Sequence, residues 1–283
     1  MEQKFKLTKE VKIVAGRVVY RIEALRDTLY CKKGEKGGWL ASENNLSQNG
    51  GCWVGNEACV YDFARVSGDA YISGAARIAG SSRVYAKGQV SGDAHIFGNA
   101  VVCEMAQVYD CASVGGHASV GGTAQIFGQA CIEGLAQVRG GMVYENASIR
   151  GYAVVLGASI FGHASIFGEP VVGSGAVVKD YAVIHDQARI ACENPPLRVN
   201  IDGPADIGGD AVVDTIEDFI VFKNWWSSGR YLTWTRSNKM WRVGCFYGEG
   251  DALVSKAYKK GDKCGREYER LVSYVESFLE EGH

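Results

Sequence analysis

A beat of six residues governs this chain. From Ala58 a small side chain returns at every sixth position through Ala136; twelve of these fourteen positions are Ala, and the others are Ser82 and Gly88. Two residues after each stands a β-branched aliphatic, from Val60, Val66 and Ile72 through to Ile132 and Val138. Gly often lies two before the small residue, as at Gly68, Gly74, Gly98 and Gly128. The frame slips by one before Ala147 and again before Ala158, then runs on to Ala188 and Ile190. A helix cannot use this pattern, because aliphatics six apart would turn through about 600° and scatter over all its faces. Short strands joined by tight corners can. The aliphatic points inward, the small residue fits the corner, and Gly supplies the backbone freedom of the turn. Three sides make a coil of 18 residues, and coils stack about 4.8 Å apart through parallel ladders. Twenty-two such hexads give seven complete coils and one further side, a rod of roughly 35 Å.

An aliphatic followed four residues later by a small side chain resembles the hexapeptide motif of left-handed parallel β-helix proteins. The left hand is an implication of that resemblance; the general crossover rule favours the opposite one. Gly here stands two after the aliphatic, where that family more often has it one after. The segments Gly37-Gly38-Trp39-Leu40, Asn45-Leu46-Ser47-Gln48 and Cys52-Trp53-Val54 resemble the lead-in of YdcK-like proteins, and similar segments head phage and prophage proteins. The resemblance implies rods that associate side by side, commonly as trimers. Many proteins of this fold are CoA-dependent acyltransferases, with a histidine base near the subunit interface.

The expected fold is mainly β: a single-stranded left-handed parallel β-helix solenoid with an N-terminal β cap and a small C-terminal α+β domain. Residues 1–57 ignore the beat and form the cap, in which Val18 to Ala24 alternate like a strand. Trp39 and Trp53 read as packing beside the first coil. The solenoid spans 58–215, with Asn194-Pro195-Pro196 breaking a ladder. Residues 216–283 change character. Three strands are expected, around Phe219–Phe222, Arg230–Arg236 and Met240–Phe246, with a turn at Ser237-Asn238-Lys239. A short helix from Asp251 to Lys259 precedes a long one carrying Tyr268, Leu271, Val272, Val275, Phe278 and Leu279, with Gly282 beyond its last turn.

The charge balance, 30 basic against 32 acidic residues, argues against an extended nucleic-acid partner. No apolar run approaches the ~18 residues of a membrane span, and Met1 to Lys6 lack a signal peptide's apolar core, so a cytoplasmic protein is expected. Nine cysteines, Cys192 among them, include no C-x-x-C; they read as free thiols, with no metal site. No cofactor is expected.

The five histidines, His95, His117, His163, His185 and His283, read as solvated surface groups, and none has an acidic partner fixed by spacing. If acyl transfer occurs, one of His95, His117, His163 and His185 is the base. The rod surface says more. Residues 18 apart stack, so Gln89, Gln107 and Gln125 form a ladder; beside it Ser73, Ser91, Tyr109 and Phe127 form a second row, which Phe161 continues after the slips. Outward aromatics in a row mark a contact surface, here a homo-oligomer interface, trimer favoured. The C-terminal domain concentrates basic and aromatic side chains: Lys223, Trp225, Trp226, Arg230, Trp234, Arg236, Lys239, Trp241 and Arg242. Such a set can hold an anionic small molecule, such as a nucleotide signal, or a protein partner; part of it is expected to pack on the final helix. The sequence thus favours a non-catalytic binding or scaffold protein, with acyl transfer and anion sequestration as alternatives.

Overall fold

The computed structural model describes residues 3–191 and 198–280, the side chain at 280 excepted; Cys192, the Asn194-Pro195-Pro196 break, Gly282 and His283 lie outside the described residues. Between the ends, two-residue strands recur every six positions, from Cys59–Val60 and Arg65–Val66 through Tyr71–Ile72 and onward. Each pairs in parallel with the strand one coil away, so that Gln89 lies against Gln107 and Gln107 against Gln125. The result is a parallel β-solenoid with three flanks: two nine-stranded sheets, and a third of twelve strands that takes in the N-terminal cap. The flank containing Gln89 is called here the glutamine flank; that of Arg65 and Arg83, the arginine flank; that of His95, the histidine flank.

The second residue of each pair faces the axis. Val60, Ile72, Val90, Ile126, Val143 and their counterparts are fully buried, as are the alanines before the strands, in one continuous core. All fourteen corners from Asn56 to Gly134 adopt positive φ; nine are Gly and the others are Asn56, Asp62, Ala86, Glu104 and Asp110. An L-residue pays about 1–2 kcal/mol in this region, and the acidic ones recover part of it. Asp62, Glu104, Asp110, Glu145, Asp180 and Asp186 each accept a hydrogen bond from the backbone N–H of a glycine one coil on, as Asp110 does from Gly128 at 3.1 Å.

Every departure from the six-residue beat falls on the edge leading from the arginine flank to the glutamine flank. One residue is missing between Gln137–Arg139 and Met142–Val143, and one between Val154–Val155 and Ser159–Ile160. The extra length between Arg189–Ile190 and Val199–Ile201 lies there as well. Since each deletion comes before the next strand begins, the strands themselves stay in register.

Both ends of the rod are covered. At the N-terminus β1 (Phe5–Val14) and β2 (Arg17–Ala24) form an antiparallel hairpin, β3 (Lys36–Leu40) pairs with β2, and β3 continues in parallel onto Cys59–Val60. Phe5, Ile22, Leu40, Leu46 and Trp53 close the first coil. Lys4 is buried with them, its ammonium donating to the Cys52 carbonyl at 2.7 Å and to the Cys52 thiol at 3.0 Å. Trp39 lies under two cations, Lys12 and Arg21, both paired with Glu57, which also accepts from the indole N–H at 3.0 Å. Both tryptophans are therefore packing residues of this end.

At the other end the expected three-stranded meander has four strands: Phe219–Lys223, Tyr231–Thr235, Met240–Val243 and Phe246–Gly248. The segment expected to run unbroken from Met240 to Phe246 turns back on itself at Gly244, where φ is +57°, and a strand cannot continue through that conformation. Helices α1 (Gly250–Tyr258) and α2 (Asp262–Glu280) pack on one face. The sheet is lined on both sides. Phe219 and Val221 meet the rod core while Ile220 and Phe222 meet the helical core; Leu232 and Trp234 join the helices, and Thr233 accepts from the Asp206 N–H of the last coil at 2.9 Å.

Candidate functional site

The aromatic row is continuous. On the glutamine flank Tyr109, Phe127, Tyr144 and Phe161 stack face to face, with ring centres 4.9, 4.8 and 4.8 Å apart and planes within 8° of parallel. That separation is the strand spacing itself, so each ring sits one rung above the last. Tyr144 is the member the sequence reading missed: after a 17-residue coil, counting 18 from Phe127 lands on Glu145. All four rings are half-buried. Burial, then the neighbouring Asp110 or Glu145, raises the hydroxyls of Tyr109 and Tyr144 above the ordinary tyrosine value. Gln89, Gln107 and Gln125 run alongside in pairing register.

The histidines separate into distinct environments. His163 stacks on Tyr181 and His117 meets the Asn99 side chain at 3.2 Å, both at coil corners. His95 is half-buried beside Phe97, its Nε2 without a hydrogen-bond partner. Burial first, and the Arg77 charge second, lower its basicity. His185 points away from the rod axis as expected, yet it is not a solvated surface group. It is 2% exposed. Its Nδ1 lies 2.9 Å from Asp186 and its Nε2 2.8 Å from Asp206, whose other oxygen is 3.1 Å from Arg242 Nε. Phe167 stacks on one side of the ring, and Gly208 on the other leaves no room for a Cβ. Asp186 is held below the ordinary aspartate value by the Gly209 amide, then by His185 and Arg242. The Asp206–Arg242 pair ties the C-terminal domain to the last coil.

The basic and aromatic residues of the C-terminal domain do not form one cluster. Trp234 and Trp241 are each 2% exposed within the helical core. Trp226 packs edge-on against Tyr268 at 5.4 Å. Arg242 is engaged by Asp206, Arg236 lies over Phe278, and Lys223 lies over Tyr231. Lys239 borders a separate cleft together with Glu249, Asp251 and Glu276. Trp225, 74% exposed, meets the Trp226 ring edge-on at 5.9 Å.

Arg230 has a different setting. It borders a recess of about 200 Å³ between the sheet and the two helices, with Lys256 and Lys260 also in its wall and no carboxylate. Val243, Phe246, Leu253 and Ala257 give it an apolar lining. At its base the buried Asn224 donates to the Tyr268 hydroxyl at 2.5 Å. Three cations around an apolar hollow are an arrangement that can hold an anion carried on a small organic body. Lys256 and Lys260 belong to helix α1 and the turn after it, outside the set singled out from the sequence. Among the described residues no three His, Cys, Asp or Glu side chains gather as a metal ion would need. Among the described residues no helix is long and apolar enough to cross a membrane.

No protein-family model matches the chain, and no curated protein matches it. The functional reading therefore rests on the geometry.

Proposed function

We propose that this is a non-catalytic binding protein: a rod that associates with further copies of itself along the glutamine flank and carries a C-terminal receptor for a small anion. The observation that carries the reading is the recess ringed by Arg230, Lys256 and Lys260 with no acid in its wall. A phosphate or carboxylate would be met there by a guanidinium fork and two ammonium groups, while Phe246 and Tyr268 take the apolar part. Thermal unfolding in the presence of inorganic phosphate, AMP or acetyl-CoA tests it, because a ligand of the folded state raises the midpoint by mass action. Stabilisation by at least one of these that is lost in both R230Q and K256Q is expected. No stabilisation by any of the three overturns the receptor.

Self-association is supported by the column of four parallel rings beside the glutamine ladder, a flat, uncharged strip along the rod. Sedimentation velocity of the wild type should give a mass above one chain, with a trimer as the first expectation, and F127K should give a single chain. A wild-type monomer at high concentration ends this half of the reading. Acyl transfer is the second reading. It is favoured by the unpartnered Nε2 and lowered basicity of His95, which leave a neutral imidazole at physiological pH. Turnover of acetyl-CoA that is abolished by H95A would replace the non-catalytic reading.

A further inference from the structure

A second cluster of cations lies on the rod, at the opposite end from the recess. The pairing register sets Arg65 directly against Arg83 on neighbouring rungs of the arginine flank, both exposed. Like charges placed opposite one another on adjacent strands repel, and no carboxylate among the described residues comes within ion-pair distance of either. The nearby cap is built otherwise: Lys6, Lys12, Arg17, Arg21 and Lys36 each hold a carboxylate. Asp62, at the corner before Arg65, is spent on Arg17 and the Gly80 amide.

The pair also lies between two hollows. One, of about 580 Å³, is walled by Asn44, Ser47, Gln48, Ser67 and Tyr85; the other, of about 370 Å³, by Phe63, Ser81 and Asn99, and both arginines line each. Glu43 is the one carboxylate in either wall, and it pairs with neither arginine. An unpaired arginine alone carries no such meaning, since Arg139 on the same flank of the rod is likewise exposed. Here two stand one rung apart, about 4.8 Å, with hydroxyls and amides around them and an open tyrosine ring alongside.

We infer that Arg65 and Arg83 together bind a phosphate monoester, one guanidinium fork to each side of the tetrahedral oxyanion, with the ester group lying toward Tyr85. A doubly charged oxyanion between the two forks turns their repulsion into two charge-assisted contacts. This site is independent of the recess between the C-terminal sheet and helices, and variants of one leave the other intact.

The test is calorimetric titration of the full chain with phenyl phosphate and with inorganic phosphate, repeated for R65Q, R83Q and R139Q. Phenyl phosphate should bind the wild type more tightly than inorganic phosphate. R65Q and R83Q should each weaken it by about tenfold, with R139Q near the wild-type value. Without ligand, the melting temperature of R83Q should equal or exceed that of the wild type, because its loss removes a repulsion. Absence of phenyl phosphate binding overturns the inference, as does binding that R65Q and R83Q leave unchanged or an equal loss in R139Q.

Discussion

The rod and the C-terminal domain bury their cores by opposite means. In the rod each buried position repeats, so Ile78, Ile96 and Ile132 occupy equivalent rungs of one flank and each touches only its own coil and the next. In the C-terminal domain nothing repeats: Trp234, Trp241, Tyr268 and Val272 form one irregular cluster between a sheet and two helices. The first kind of core is specified by period, the second by the shape of a few large side chains. A rod should therefore yield the same response wherever it is probed, and the domain a different one at each position.

The contrast can be broken in three ways. Replacing the buried Trp241 with alanine should cost about 3–5 kcal/mol and melt the C-terminal domain ahead of the rod. Calorimetry would then resolve two transitions, and a single shifted transition would mean the two cores unfold as one. Ile78→Ala, Ile96→Ala and Ile132→Ala should each cost about 2–5 kcal/mol and agree with one another more closely than that span; wide disagreement in chemical denaturation would refute rung equivalence.

Acidification gives the smallest effect, at the cap. Glu57 is drawn down to about 2 by Lys12, then by Arg21, with the Trp39 N–H adding to them. Its stabilisation is in force above the ordinary glutamate value of 4.5 and is lost as pH falls from there toward 2. The carboxylate is more than half exposed, so screening keeps the effect modest. Stability measured across that window should fall less steeply in E57Q than in the wild type.

What the sequence made legible follows the same division. The inward Val and Ile positions, the positive-φ corners and the glutamine ladder could all be counted off, because period alone determines them. Tyr144 escaped because one deletion moves it off the count. The partners of His185 were only half legible: Asp186 is its neighbour, but Asp206 arrives from a coil lengthened by the insertion after Ile190. In the C-terminal domain, composition could not separate Trp234 and Trp241, which fill a core, from Arg230, which borders a hollow; both uses call for the same residue types. The hollow itself needs Lys256 and Lys260 to be swung against the sheet by a helix, a tertiary event no local pattern records. The fourth strand was hidden by a single conformational choice at Gly244.

One edge of the prism absorbs two deletions and an insertion while the faces on either side remain in step. That edge works as an expansion joint. Its turns can be lengthened or trimmed with the stacked rings and paired strands undisturbed, so a peptide tag spliced in at 139–141 would ride outside the column and leave every rung above it where it was.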